Sequence, residues 1–214
     1  MDREIFMIRI GLVPGRLNPP HAGHKRLFQH ALAESDFVFV VIIQGEKSGT
    51  DLVRNPLSFE LKKEIINKMS PRVHVMRFST ANIPAITTEI LSSNLFFSNE
   101  YHFSIYAGSD RVSQYANQIK PKYVEQIKTE LGEPELDITF EVRALERDEA
   151  SKNVEGYSAS KIRNAIRNGE DEKVMAMLAI DDEDTYDKIR SAILAGVKKE
   201  AVETKINIIL EEVG

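Results

Sequence analysis

Two hydrophobic rhythms take turns along the chain. Residues 6–13 are mostly apolar and read as a β-strand. In the stretch that follows the turn, the apolar residues Leu27, Phe28, Ala31 and Leu32 fall on one face of a helix. Residues 37–43 are an unbroken apolar run, typical of a parallel strand covered on both faces. A polar loop over 44–56 leads to Ser58, which caps a helix to about Met69 with Phe59, Leu61, Ile65 and Ile66 turned inward. Next come a short strand over 73–77, a helix over 83–97, a strand over 103–107 and a helix from 108 to about 119. A last strand over 136–142 and a polar loop over 146–156 follow. From Ser158 onward the pattern is helical, including 173–178, 186–194 and 201–212.

Strands alternating with helices imply an α/β fold, a doubly wound parallel sheet with right-handed crossovers. Residues 1–168 form the domain built on that sheet, and 169–214 a charge-rich C-terminal helical extension packed on it. In such sheets ligands bind beyond the carboxyl ends of the strands. The turns at 15–24 and 108–111 and the loop after 142 all follow strands, so they open on one edge.

The first of these turns carries the clearest chemistry. Gly15-Arg16-Leu17-Asn18-Pro19-Pro20-His21-Ala22-Gly23-His24 sets two histidines around a glycine where a strand becomes a helix. Unpaired N–H groups and the positive end of the helix dipole attract an anion there, and imidazoles can donate to its oxygens. Gly23 lets the backbone approach a ligand. A metal site from His21, His24 and His30 is the weaker reading, because the chain has no cysteine and no nearby Glu at a zinc-enzyme spacing.

A second anion-binding pattern is Tyr157-Ser158-Ala159-Ser160-Lys161-Ile162-Arg163, in which a serine caps a helix whose first turns present Lys161 and Arg163. Hydroxyls, N–H groups and two cations suit a polyphosphate, and the arginine fork matches phosphate oxygens. Gly108-Ser109-Asp110-Arg111 opens another helix, where Asp110 either favours the dipole or accepts from a substrate hydroxyl. Lys47, Arg54, Arg143 and Arg147 are further cations able to line such a pocket.

Composition narrows the partners. A net charge of −5 argues against broad nucleic-acid or anionic-membrane binding, so a phosphate site must be a local positive pocket. The longest apolar run is too short to span a bilayer, the charged start leads straight into a strand, and cysteine is missing. The expectation is a cytoplasmic protein. Lys68-Met69-Ser70 matches a signature of class I aminoacyl-tRNA synthetases, but it lies too soon after His24 and leaves no anticodon-binding region. Neither Gly-x-Gly nor Gly-Lys-Ser/Thr occurs, which removes the dinucleotide fingerprint and the P-loop.

Together, Gly15–His24 and Tyr157–Arg163 resemble the two signatures of the HxGH-motif nucleotidyltransferase superfamily, over about residues 5–168. Its members include nicotinamide-mononucleotide adenylyltransferases, phosphopantetheine adenylyltransferases and glycerol-phosphate cytidylyltransferases. Ala107–Val112, Glu146–Asp148 and Gly156–Lys161 look most like the enzymes of large tailed bacteriophages. Leu17 stands where the family has Phe, and Tyr157 where it has Ile or Met.

The resemblance implies a Rossmann-like nucleotidyltransferase fold and transfer of a nucleoside monophosphate from a triphosphate to a phosphorylated small molecule, releasing pyrophosphate. It places His21 and His24 at the α- and β-phosphates, and Ser158, Ser160, Lys161 and Arg163 on the leaving β- and γ-phosphates. Gly15 and Gly23 line the phosphates, Arg16 meets the acceptor phosphate or triphosphate, and Gly108 and Asp110 touch the acceptor or ribose. Mg²⁺ comes with the nucleotide, for which ATP is preferred, and nicotinamide mononucleotide is the preferred acceptor. The alternatives are a cytidylyltransferase acting on a polyol or sugar phosphate, and a non-catalytic nucleotide-binding regulator. No nucleic-acid or membrane partner is expected, and the C-terminal helices offer a surface for a homo-oligomer.

Overall fold

The computed structural model describes residues 6–45, 51–93, 98–145 and 158–213. Five strands form one parallel sheet: β1 (Ile8–Gly15), β2 (Phe37–Ile43), β3 (His74–Phe78), β4 (Glu100–Gly108) and β5 (Asp137–Leu145). Their order is β3-β2-β1-β4-β5, so the winding reverses at β1. This is the doubly wound, Rossmann-like sheet that the strand–helix alternation calls for.

The helices are α1 (Ala22–Glu34), α2 (Phe59–Met69), α3 (Ile83–Ser92), α4 (Val112–Ala116), α5 (Pro121–Leu131), α6 (Ala159–Arg167), α7 (Asp171–Leu178) and α8 (Glu183–Val213). Local chemistry sets their ends. Ser58 accepts from the Leu61 amide at 3.2 Å to open α2. Asn82 accepts from the Ala85 amide at 3.3 Å to open α3. Three sequence expectations change. The helix expected over 83–97 ends at Ser92, with Ser93 as its C-cap, the Ser93 amide donating to the Ile90 carbonyl. The helix expected over 108–119 is a 3₁₀ turn at Ser109–Arg111 followed by the single short α4, and the chain then restarts as α5 at Pro121. The segments expected at 186–194 and 201–212 are one continuous helix, α8.

The described chain falls into two compact units, each assembled from separate stretches. The first comprises Met1–Gly15, Leu27–Ile43 and Arg72–Asp148 and holds the sheet. Its core joins Ile10, Leu12, Val41, Phe103 and Ile105 to the inner faces of α3 and α5. On the other face, β4 and β5 carry a polar network in which Arg143 binds Glu141 at 2.6 Å and also pairs with Glu34, which accepts from Tyr106.

The second unit comprises Arg16–Arg26, Gln44–Pro71 and Glu149–Gly214. Its core packs Ile65 and Met69 of α2 against Ile162 and Ile166 of α6, with Val174 of α7 and Ile189 of α8. Among the described residues, no helix is long and apolar enough to cross a membrane.

Candidate nucleotide-binding site

The polypeptide leaves β1 at Gly15 and turns sharply. Leu17 sits in the left-handed region at φ 49° although it has a side chain, and it is held there 5% exposed. The Asn18–Pro19 peptide is cis.

Asn18, 4% exposed, anchors the turn to the rest of the second unit. Its Oδ1 accepts from the Leu57 amide at 3.3 Å, and its Nδ2 donates to Asn55 Oδ1 at 3.4 Å. Its main-chain carbonyl accepts from Arg163 Nη1 at 2.5 Å. Asn18 therefore ties the turn to the 55–57 segment through its side chain and to α6 through its carbonyl. The sequence reading missed this role. The signal for it was a pair of asparagines, Asn18 and Asn55, each directly before a proline in a loop.

His21 directly precedes α1, its carbonyl accepting from the amides of His24 at 2.8 Å and Lys25 at 3.1 Å. The two imidazoles lock one another in place. His21 Nδ1 accepts from the Gly23 amide and His24 Nδ1 from the His21 amide, each at 3.2 Å. The ring centroids are 3.8 Å apart. A ring nitrogen that accepts an amide proton cannot carry its own, so in the neutral state each ring holds its proton on Nε2.

Burial keeps both rings neutral. It pushes His21 down to about 4, and burial together with His21 itself holds His24 well below the ordinary imidazole value. The two Nε2–H groups are therefore the donors this turn can offer an anion.

Gly23 leaves room for the same geometry. A Cβ there would lie 3.1 Å from His21 Cε1 and 3.2 Å from Nδ1, pressing the ring off the amide it accepts from.

At the start of α6, Ser158 Oγ accepts from the Lys161 amide at 3.2 Å. Ser160 and Lys161 are exposed. Arg163 donates from Nη2 to Ser160 Oγ at 3.1 Å as well as from Nη1 to Asn18. Two of its five N–H bonds are thus engaged among the described residues. Burial, and then the neighbouring Arg167, lower its pKa, yet a guanidinium remains charged. The second unit thus brings together His21, Gly23, His24, Ser158, Ser160, Lys161, Arg163 and the exposed Arg16.

Of the other expected residues, Arg54 is also in the second unit, close enough to Arg163 to lower its pKa. Gly15 ends β1, Gly108 ends β4, and Asp110 lies in the 3₁₀ turn after it, all in the first unit. Arg143 is engaged by Glu141 and Glu34, and Arg54 is exposed beside Asp51. Lys47, Arg147 and Tyr157 lie outside the described residues. His30 belongs to the first unit, 3.7 Å from Glu34. Lys68 is structural: it binds Thr185 Oγ1 at 2.5 Å and Glu64 at 3.3 Å, and pairs with Asp182.

The family model for cytidylyltransferase-like proteins matches residues 12–165, a span running from the second half of β1 through Arg163. The chain belongs to the cytidylyltransferase-like family. No curated protein sequence matches it.

Solved structures with the family's fold include a bifunctional NMN adenylyltransferase/ADP ribose pyrophosphatase from Francisella tularensis. It is 16% identical with a TM-score of 0.55, over 96% of this chain and 57% of that one. The same Francisella protein complexed with AMP and a manganese ion gives 19% identity and a TM-score of 0.56, over 96% and 56%. A Vibrio parahaemolyticus protein described as a nicotinate-nucleotide adenylyltransferase gives 18% identity and 0.52, over 88% and 99%. The chain thus spans a little over half of the Francisella protein, 57%, and nearly all of the Vibrio one, 99%. At these identities the likeness is one of fold.

Proposed function

We propose that this cytidylyltransferase-like protein is a nucleotidyltransferase. It moves a nucleoside monophosphate from a triphosphate, preferentially ATP, to a phosphorylated small molecule resembling nicotinamide mononucleotide. The observation that carries this reading is the pair of buried imidazoles, each with Nδ1 occupied by a backbone amide and its proton therefore on Nε2, in the same unit as the half-buried Arg163.

An oxygen of the acceptor phosphate attacks the α-phosphorus in line. The new P–O bond forms as the bond to the α,β-bridging oxygen breaks, and its electrons leave with pyrophosphate. A phosphate oxygen is already ionised at neutral pH, so no general base is needed. Catalysis is positioning and stabilisation of developing charge. The Nε2–H groups of His21 and His24 donate to oxygens on the α- and β-phosphates. Arg163, Lys161 and the Ser160 hydroxyl hold the leaving β- and γ-phosphates, and exposed Arg16 meets the acceptor.

Among the described residues, no three acidic or histidine side chains converge into a metal cage. A magnesium ion would be held by the triphosphate's own oxygens and would add charge neutralisation there.

A second reading, CTP as donor and a polyol or sugar phosphate as acceptor, has the family model in its favour. Pyrophosphate release separates the two when ATP and CTP are each paired with nicotinamide mononucleotide and with glycerol phosphate. The proposal expects turnover with ATP and the mononucleotide. Turnover with CTP alone would transfer the assignment to the second reading, and binding without pyrophosphate release in any pairing would make the protein a nucleotide-binding regulator.

A further inference from the structure

We propose that Gly196, in the middle of the C-terminal helix α8, is a positioning residue for the Asn18 turn, acting through the segment 51–57; the inference rests on the nucleotidyl-transfer reading of that turn. Glycine inside a helix is destabilising relative to alanine, so its presence at a buried position calls for a reason. The reason is contact with main chain. A Cβ at 196 would overlap the Leu52 carbonyl oxygen and come within 3.0 Å of the carbonyl carbon. Backbone cannot swing aside as a side-chain tip does, so only glycine lets α8 and Leu52 pack this closely.

From Leu52 the segment runs directly to the site. The next carbonyl, Val53, accepts from Arg167 Nη2 of α6 at 2.8 Å. Asn55 Oδ1 and the Leu57 amide then hold the two ends of the Asn18 amide. Asn18 in turn presents the carbonyl that orients Arg163. The segment is therefore clamped by α8 at Leu52, by α6 at Val53 and by the turn at Asn55 and Leu57. A displacement of Leu52 is passed to the guanidinium proposed to hold the leaving group.

The test compares Gly196→Ala with Ala195→Gly, an exposed control that loosens the same helix without touching Leu52. Hydrogen exchange at the Leu57 amide in ligand-free protein should be about tenfold faster in Gly196→Ala and unchanged in the control. In the pyrophosphate assay, Gly196→Ala should lower kcat by roughly tenfold or more while KM for the triphosphate moves little. If Gly196→Ala does not fold, Asn55→Ala cuts the same link at its other end and should reproduce the loss of kcat. Unchanged Leu57 exchange and kcat in Gly196→Ala, unchanged kcat in Asn55→Ala, or equal effects from Ala195→Gly would overturn the proposal. A wild-type protein with no transfer activity, but with Leu57 exchange that responds to Gly196→Ala, would refute the enzymatic reading and leave the structural link standing.

Discussion

Arg163 Nη1 donates to the main-chain carbonyl of Asn18 at 2.5 Å, joining two motifs that lie 145 residues apart in sequence. The contact gives Arg163 two duties. It closes the turn that carries His21 and His24, and in the proposed reaction its remaining N–H groups hold the leaving phosphates. A charge-bearing substitute that cannot span the same distances should fail at both.

Arg163→Lys is therefore expected to be far from conservative. An ammonium lacks the fork that reaches Asn18 and Ser160 together. Loss of a charged hydrogen bond to a carbonyl should cost about 2 kcal/mol, or roughly 4–8 °C in Tm for a chain of this size. Calorimetry and the pyrophosphate assay should both record the change, with kcat down by about a hundredfold. A variant with unchanged Tm and kcat would remove Arg163 from both roles.

Gly23→Ala isolates the geometry of His21. The added methyl meets the imidazole at 3.1–3.2 Å and shifts its Nδ1 away from the Gly23 amide. With alanine otherwise favoured in the first turn of a helix, stability should hold or rise slightly. Turnover should fall by roughly tenfold or more. Circular dichroism melting beside the turnover assay checks the split.

Several features of this site were legible in the sequence. Residues 15–24 read as a strand-to-helix turn, and Ser158 or Ser160 as a helix cap; the structure has the turn and gives the cap to Ser158. The unbroken run of β2 correctly marked a strand whose Val38, Phe39, Val40, Val41 and Ile42 are all buried. The rest depended on contacts between distant segments. Asn18 is recognisable as an anchor only once Leu57 and Arg163 have been brought to it. Gly196 falls between the segments 186–194 and 201–212 that read as helical, and only its close approach to Leu52 shows why α8 runs through it. The helix α5 was missed because, of its residues, only Ile127 is fully buried.

The histidine pair sets an acid limit on stability. His21 has its pKa lowered to about 4 by burial, whereas in the unfolded chain it titrates near the ordinary value of 6.5. The unfolded state takes up the proton first, so the contribution is complete above about 6.5 and is lost as pH falls towards 4. For this one group the loss is on the order of 3 kcal/mol. His24, lowered by burial and by His21, adds in the same direction. Denaturant melts between pH 7 and 4 should show the decline, and His21→Asn, which keeps an acceptor near Nδ1 but does not titrate, should flatten it. A wild-type stability independent of pH across that window would contradict neutral, amide-accepting rings.

The central claim is that His24 serves catalysis through Nε2–H while Nδ1 serves the fold. Substitution by asparagine keeps an acceptor where Nδ1 stands and removes the Nε2 donor. The most direct measurement is kcat for pyrophosphate release by His24→Asn, taken with its Tm. A drop of about a hundredfold or more with Tm shifted by no more than a few degrees is the expected result. A stable variant that turns over like the wild-type protein would contradict the account.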